Sequence, residues 1–213
     1  MLHLVAVAMT SPSVVGVLLY EGCTIVEIAE AATRLRTSGL DVQFVGVNHE
    51  EVVDRSGLRM IPGRIIADSD VSAYRAVLVP GGNPDSVIEL GQVHAFLSGA
   101  SNAGALMAGI CAGVALLAAS GVTAHHTITH NYRSPWCPQD VADTVAPLWT
   151  ESSVIDDRTI GVVRDANVIT ALPNASIGFA LAVCEALGVY TAERASLLAA
   201  HLKGEFVEQL FEE

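Results

Sequence analysis

The segment Ala105–Gly121 restricts the fold of this chain more than any other. An apolar run leads into Gly109-Ile110-Cys111-Ala112-Gly113, and an Ala- and Leu-rich stretch follows, closed by a glycine suited to a helix end. A nucleophile between two glycines, after a strand and before a helix, is typical of a nucleophile elbow. The helix N-terminus beneath the cysteine favours its thiolate. The alternative is a buried structural cysteine in an ordinary strand–helix turn.

Composition bounds the architecture and the partners. The chain has 213 residues, 51% hydrophobic and 16% charged, so it can bury the core of one sizeable α/β domain. We expect a single domain over residues 1–213, in which residues 1–12 form either an extra edge strand or an extension. The net charge of −12 argues against nucleic acid and anionic membrane surfaces as partners, because both attract Lys and Arg.

The cysteines and the apolar runs indicate the compartment. Four cysteines are widely separated and form no C-x-x-C pair, which predicts a reducing, cytoplasmic setting without a disulfide framework. No Lys or Arg precedes the apolar start of the chain, so we expect no signal peptide. No run reaches the roughly 18 apolar residues that a membrane span needs.

The hydrophobic pattern predicts alternating strands and helices, and therefore a doubly wound, mostly parallel, flavodoxin-like sheet. Predicted strands are Val14–Tyr20, Asp41–Val47, Ala76–Pro80, Ala105–Ile110, Thr127–Thr129, Ser153–Ile155, Thr159–Val163 and Val168–Ala171. Predicted helices are one from Thr24 to Gly39, then Asp85–Leu90, Gln92–Ala103, Val114–Ala119, Ala175–Leu187, Thr191–Leu202 and Glu205–Phe211. Glu50–Ile66 is predicted to form a β-hairpin, and His130–Pro147 a loop-rich cover with one helical turn.

Three polar segments follow predicted parallel strands and therefore meet at one edge of the sheet: Glu21–Glu27, Pro80–Pro84 and the Cys111 elbow. Thr24 and Glu27 have the spacing of a capping box. The functional alternative is that the Glu27 carboxyl hydrogen-bonds the thiol and exchanges a proton with it. The amides of Gly81-Gly82 are placed to face a developing oxyanion, although the same residues also suit a plain turn.

The histidines offer weaker candidates. His130 follows a predicted strand and is either the base that pairs with Cys111 or a partly exposed loop histidine. His125, His126, His130 and Cys137 fit no tight tetrahedral spacing, so we predict no metal site. Cys184 lies on an apolar helix face and is predicted to be core.

A second fold has the same elbow. In α/β-hydrolases a carboxylate and then a histidine follow the nucleophile along the chain, and Asp165 and His201 satisfy that order. The chain has too few predicted strands after Cys111 for that fold, so it is the lesser alternative.

Four motifs together resemble the DJ-1/PfpI (ThiJ/PfpI) superfamily, in the class I glutamine-amidotransferase-like fold. They are Gly16–Gly22 followed by Glu27, Val77–Asn83, Ala108–Gly113 and Gly178–Ala182, and the resemblance runs from about Val14 to Leu187.

The resemblance implies roles for particular residues. Cys111 would be the reactive, oxidisable cysteine, and Glu27 the carboxyl that contacts it, where isonitrile hydratases carry Asp. Gly82 and Ala112 would supply backbone N–H groups around the thiolate. The family also implies a homodimer with the site near the subunit interface, and a small-molecule substrate handled without a cofactor.

At three positions the sequence departs from motifs of family members, and each departure affects one of the functions or site features that the resemblance implies. Ala112 stands where peptidase-like members have His, which disfavours a peptidase. Asn131 replaces a Trp that commonly follows Thr-His, which weakens a role for His130. Pro173-Asn174-Ala175 replaces a Gly-Pro-Gly turn of DJ-1-like members. No helix-turn-helix follows, so we do not expect a complete DNA-binding regulator.

Two classes of function are consistent with these residues. The first is an enzyme whose Cys111 attacks a small electrophile, either an isonitrile, which is hydrated to a formamide, or a 2-oxoaldehyde, which becomes a hydroxy acid. The second is a non-catalytic, redox-sensing or chaperone-like dimer in which Glu27 and the elbow amides stabilise an oxidised Cys111.

Overall fold

The computed structural model describes residues 13–210, so the edge strand or extension predicted for residues 1–12 lies outside it. The strands are β1 Val14–Leu19, β2 Asp41–Gly46, β3 Val52–Val53, β4 Arg59–Met60, β5 Arg64–Ile65, β6 Tyr74–Val79, β7 Leu106–Ile110, β8 Thr127–Ile128, β9 Ser153–Val154, β10 Val162–Asp165 and β11 Val168–Ala171. The helices are α1 Val26–Thr37, α2 Gly91–Asn102, α3 Gly113–Ala119, α4 Gln139–Val145, α5 Ser176–Ala186 and α6 Ala192–Leu202.

Seven strands form the central sheet in the order β10-β11-β7-β6-β1-β2-β5. All neighbouring pairs are parallel except β10 and β11. The central strands β1, β6 and β7 are almost wholly buried, as expected for a parallel sheet covered on both faces. The prediction of a doubly wound α/β sheet is confirmed.

The two faces of the sheet have separate cores. On one face, side chains of α2 and α3 such as Leu97 and Leu116 pack with Leu18 of β1. On the other, α1 and α5 contribute Ile28 and Phe179. This sandwich fixes the loops at the carboxyl ends of β1, β6 and β7 on one edge of the sheet.

Several predicted elements are shorter or differ in kind. The predicted helix Asp85–Leu90 is reduced to a 3-10 turn, Pro84–Ser86, with Asn83 as its cap. Glu205–Phe211 contains a 3-10 turn, Glu208–Leu210. The β-hairpin is confirmed as the antiparallel pair β3–β4, but the same stretch also contains β5, an edge strand of the main sheet that the pattern did not show.

The start of α1 also differs from the prediction. Ile25 is the N-cap residue, and no side-chain capping hydrogen bond is made there. The Glu27 amide donates to the backbone carbonyl of Thr24, so the predicted Thr24–Glu27 capping box is wrong. The Asp54 carboxylate of the hairpin accepts the Ile25 amide instead, together with the Ser56 hydroxyl at 2.6 Å. These hydrogen bonds, led by that of Ser56, lower the pKa of Asp54. The hairpin is thereby fastened to the helix that carries Glu27.

The described chain, residues 13–210, contains no helix long and apolar enough to cross a membrane.

Gly113 is the tightest packing point near the elbow. A Cβ at this position would run into the carbonyl groups of Val79 and Pro80, because α3 begins directly against the end of β6. We expect Gly113→Ala to destabilise the fold by about 2 kcal/mol or more, since backbone must move to admit the methyl group. Urea denaturation measures this directly.

Gly91→Ala is the matched control. Gly91 begins α2, and a Cβ there meets no atom within 4 Å. This variant should be neutral or gain up to about 1 kcal/mol, as Gly→Ala in a helix does. Equal effects of the two substitutions would show that the close approach of α3 to β6 is not a constraint.

Candidate active site

Cys111 lies at the apex of the turn between β7 and α3 with a backbone φ of +56°, a value that non-glycine residues rarely adopt. The amide of Cys111 donates to Ala171 O at 2.9 Å, and its carbonyl accepts the amide of Val114 at 3.2 Å. Neighbouring strand and helix therefore hold the strained backbone in place, and the half-buried thiol projects from it. This is the geometry of the predicted nucleophile elbow.

Glu27 brings a carboxylate to the thiol from the first turn of α1. The side chain is 7% exposed, its Oε2 accepts the amide of Gly81 at 2.9 Å, and it shares a hydrogen bond with the Cys111 thiol. Gly81 lies against both groups: an added Cβ would stand 2.6 Å from Glu27 Oε2 and 2.8 Å from Cys111 Sγ. Only glycine at position 81 allows the carboxylate and the thiol to meet.

Backbone amides complete the surroundings of the sulfur. The N–H groups of Gly82 and Ala112 both donate toward Cys111 Sγ. The sequence analysis predicted that the amides of Gly81 and Gly82 would both face an oxyanion. In the structure they have different partners, because the Gly81 amide donates to the Glu27 carboxylate. Two amides, from Gly82 and Ala112, therefore remain at the sulfur.

The loops after β1 and β6 are joined by backbone hydrogen bonds. Cys23 and Gly82 form an isolated antiparallel bridge, with Thr24 N donating to Gly81 O at 2.8 Å and Asn83 N donating to Gly22 O at 2.9 Å. Gly82 has a φ of +119°, and a Cβ would enter the backbone of this bridge. Cys23 is fully buried in the bridge, and its surroundings indicate a structural role.

Tyr20 is a site residue that the sequence analysis missed. Its hydroxyl proton is shared between Pro80 O at 2.9 Å and Gly81 O at 2.7 Å, and its side chain is 1% exposed. Burial, followed by the proximity of the ionisable groups of Cys23, Cys111 and Glu27, raises the pKa of Tyr20, so its hydroxyl stays a donor. The available signal was a hydroxyl-bearing aromatic residue at the end of an otherwise aliphatic strand.

The electrostatics of the pair differ from the expected thiolate. Burial, and then the charge of Glu27, raises the pKa of Cys111 to about 11, and the amides of Ala112 and Gly82 offset this in part. Burial also raises the pKa of Glu27, opposed by its hydrogen bonds to Gly81 and the thiol. A pKa of about 11 leaves the Cys111 thiol protonated at neutral pH, so that it can donate a hydrogen bond to the Glu27 side chain.

His130 has contacts with aromatic and backbone groups of the segment after β8 and with Trp149. Its Nδ1 accepts the amide of Tyr132 at 3.1 Å, and its ring stacks on Trp149 with centroids 4.3 Å apart. Burial, and then Arg133, lowers the pKa of His130 to about 4, so the imidazole is neutral. Within residues 13–210, none of the hydrogen bonds, ring contacts or electrostatic interactions found for His130 involves Cys111. Its role as the base stays a prediction that these contacts do not support.

The other sequence candidates lie apart from the elbow. Over the described residues, no three His, Cys, Asp or Glu side chains gather in a way that would hold a metal ion. Asp165 accepts the amide of Thr127 at 2.7 Å at the edge of the sheet, and His201 lies in the last turn of α6. Neither is among the groups found to act on the Cys111 thiol within residues 13–210. Cys184 is fully buried in the core, as predicted.

Fold and site together define a class: a doubly wound α/β protein in which a cysteine occupies the nucleophile elbow beside a buried glutamate. Residues 13–186 match the model of the DJ-1/PfpI family. The chain belongs to this family.

Individual relatives agree with that assignment. The chain is 32% identical over 175 residues to protein dj-1beta of Drosophila melanogaster, covering 80% of this chain and 87% of the relative. It is 26% identical over 165 residues to the glutathione-independent glyoxalase DJR-1.2 of Caenorhabditis elegans, covering 76% and 81%.

Solved structures show the same fold. The crystal structure of Drosophila melanogaster DJ-1beta matches with a TM-score of 0.72 at 27% identity, covering 91% of this chain and 99% of that one. A ThiJ/PfpI family protein from Bacillus anthracis matches with a TM-score of 0.78 at 21% identity, covering 93% and 94%.

The coupling of Glu27 to Cys111 predicts how the thiol titrates. In Glu27→Gln the amide fills the same space without the charge, so we expect the thiol to ionise at lower pH than in the native chain. The midpoint for alkylation of Cys111 by iodoacetamide, read by mass spectrometry, should fall from near 11 by at least about one pH unit, roughly tenfold more thiolate at a given pH.

Glu30→Gln is the control for this shift. Glu30 lies one turn further along α1 and pairs with Arg34, away from the thiol. It should leave the midpoint unchanged. A Glu27→Gln midpoint equal to or above that of the native chain would contradict the assigned coupling.

Proposed function

We propose that this protein converts 2-oxoaldehydes into 2-hydroxy acids by covalent catalysis at Cys111. The observation that carries the proposal is the hydrogen bond between the Cys111 thiol and the buried Glu27 carboxylate, with two amides directed at the same sulfur. A nucleophile in contact with its own base is the arrangement that covalent catalysis needs. The glyoxalase named among the relatives supports the choice of substrate class.

The first step is addition to the aldehyde. Cys111 Sγ forms a bond to the aldehyde carbon while Glu27 takes the thiol proton. Glu27 then passes this proton to the aldehyde oxygen, which becomes the hydroxyl of a hemithioacetal, and Glu27 is again a free carboxylate. The raised pKa of Glu27 makes it a stronger base than an exposed carboxylate, and the raised pKa of Cys111 makes such a base necessary. The amides of Gly82 and Ala112 can transfer from sulfur to the oxygen that develops charge beside it.

The second step moves a proton between adjacent carbons. The carbon attached to sulfur loses its proton to Glu27, and the neighbouring carbonyl carbon gains one, so that the hemithioacetal becomes a thioester of a 2-hydroxy acid. Water then hydrolyses the thioester, releasing the acid and restoring the thiol. One carbon is oxidised as its neighbour is reduced, so the sequence needs no external oxidant or reductant.

Other functions of the same cysteine are less well supported. Isonitrile hydration would use the same thiol and carboxyl, but the relative whose name states a reaction is a glyoxalase. Redox sensing depends on thiolate, and a pKa of about 11 leaves little thiolate at neutral pH. A homodimer and a cytoplasmic location stay predictions, which light scattering and cell fractionation would check.

Turnover of methylglyoxal and phenylglyoxal tests the proposal. We expect the native chain to form the corresponding 2-hydroxy acids without glutathione. Cys111→Ser should lose at least about 10³-fold in kcat because the nucleophile is gone, and Glu27→Gln about 10²–10⁴-fold because the base is gone. Product identification by chromatography and melting temperatures for each variant complete the measurement.

Cys137→Ser is the matched control. Cys137 is also a free, partly exposed cysteine, but it lies in the loop before α4 and not at the elbow. It should retain native turnover. An inactive native chain, or a Cys111→Ser protein that keeps its activity, would contradict the proposal, and hydration of an isonitrile in place of aldehyde turnover would favour the alternative.

A further inference from the structure

Tyr132 is a polar residue close enough to Cys111 to affect its own pKa, and it has no role in the reaction steps given above. It lies between β8 and α4, in the segment that the sequence analysis described as a loop-rich cover. Its partly buried ring packs on an apolar cluster that includes Val114 and Ala115, the residues of α3 that follow the elbow. The ring therefore packs on a cluster to which α3, the helix that begins after Cys111, contributes side chains.

The ring of Tyr132 is fixed by two aromatic neighbours. Its centroid is 5.9 Å from that of Trp149 and 6.4 Å from that of His130, in tilted arrangements. The amide of Tyr132 donates to His130 Nδ1, and the His130 ring stacks on Trp149 at an interplanar angle of 12°. The position of the phenol is thus set by packing and by one backbone hydrogen bond.

The hydroxyl of Tyr132 is available to a ligand. In the part of the chain that the structure describes, it makes no hydrogen bond, whereas the hydroxyl of Tyr20 makes two. Burial, and then the proximity of Cys111, whose thiolate would repel a phenolate, raise the pKa of Tyr132 to about 12. It therefore keeps its proton at neutral pH and can donate it.

We propose that Tyr132 is a catalytic residue whose phenol donates a hydrogen bond to an oxygen of the substrate bound at Cys111. The inference rests on the proposed function. A 2-oxoaldehyde presents two adjacent oxygens, and the amides of Gly82 and Ala112 lie at the sulfur, next to the aldehyde oxygen. Tyr132 serves the second, the ketone oxygen, which gains negative charge as the proton leaves the neighbouring carbon.

The phenol contact bears on which substrate is accepted, and the hydrogen bond between Tyr132 and His130 bears on how the phenol is held. An isonitrile has no second oxygen beside the carbon that the thiol attacks, so the phenol contact favours the oxoaldehyde. The neutral imidazole of His130 accepts the Tyr132 amide and makes His130 a positioning residue for the phenol. Protonation of Nδ1 would remove that acceptor, and the lowered pKa of His130, about 4, prevents this near neutral pH.

Tyr132→Phe tests the assignment, since it removes the hydroxyl and keeps the ring. Two quantities are measured with methylglyoxal: kcat/KM, and the affinity of the Cys111 adduct, read as protection of the thiol from iodoacetamide. We expect kcat/KM to fall about 100-fold and the adduct to weaken about tenfold, as for loss of one donor to a charged oxygen. The rate with iodoacetamide alone and the melting temperature should stay within about twofold and a few degrees of native values.

Tyr190→Phe is the matched control, because the Tyr190 hydroxyl accepts from Arg34 on the opposite face of the sheet and its loss should leave both quantities unchanged. Native values of both quantities in Tyr132→Phe would overturn the role of Tyr132 and leave the proposed function standing. A native chain that forms the adduct without turnover would instead end the proposed function, while a weaker adduct in Tyr132→Phe would still support the phenol contact. Absence of any adduct in the native chain would end both.

Two substitutions of His130 test its positioning role. Asn places an acceptor oxygen near the position of Nδ1, whereas Gln places its amide near Nε2. We expect His130→Asn to retain at least about tenfold more kcat/KM than His130→Gln, with equal iodoacetamide rates. Equal loss in the two variants would show that the Nδ1 hydrogen bond does not position Tyr132.

Discussion

The hydrogen bond between the Glu27 carboxylate and the Cys111 thiol is the contact on which the arrangement of the site depends. It joins the helix after β1 to the turn after β7, and it passes directly over Gly81, which follows β6. Three loops that are distant in sequence must therefore meet within one hydrogen-bond length. A parallel, doubly wound sheet brings such loops to one edge, which is why this fold can build the pair.

Holding that pair in the interior has an energetic cost. Burial raises the pKa of Glu27 above its value in an unfolded chain, so the ionised carboxylate opposes folding once the pH exceeds the unfolded value. The opposition weakens as the pH falls and Glu27 becomes protonated. The loops are stabilised against this burial cost by backbone hydrogen bonds in the Cys23–Gly82 bridge and by the hydrogen bonds that the Tyr20 hydroxyl makes to two carbonyl groups. Such local instability is common where a site needs a reactive group out of water.

The sequence allowed the sheet, the elbow and its principal partner to be predicted. Long buried strands and the Gly109–Gly113 turn have local signatures, and the position of Glu27 after the first strand placed it at the correct edge. The capping-box prediction failed because the true partner of the α1 start, Asp54, arrives from a hairpin that lies far along the chain. A contact between residues so far apart along the chain produces no recognisable spacing pattern in the sequence.

The thiolate expected from the local sequence also differs from the electrostatics of the assembled site, and the reason is physical. A helix N-terminus favours an anion, and that local argument predicted a thiolate. Burial and the adjacent Glu27 charge are larger, and neither can be judged before the loops are placed. The same holds for Tyr132 and His130, whose relation is set by the packing of Trp149 from a segment beyond α4.

Infrared difference spectroscopy can show whether Glu27 is ionised and Cys111 protonated in the protein without substrate, the state that proton transfer from the thiol to Glu27 requires. Spectra of the native chain at neutral pH are compared with those of Cys111→Ser and Glu27→Gln, so that the other thiols and carboxylates cancel. The native protein should show an S–H stretching band that disappears in Cys111→Ser, and a carboxylate band that disappears in Glu27→Gln. A protonated-carboxyl band assigned to Glu27, with no S–H band from Cys111, would show that the proton lies on Glu27 and not on the thiol.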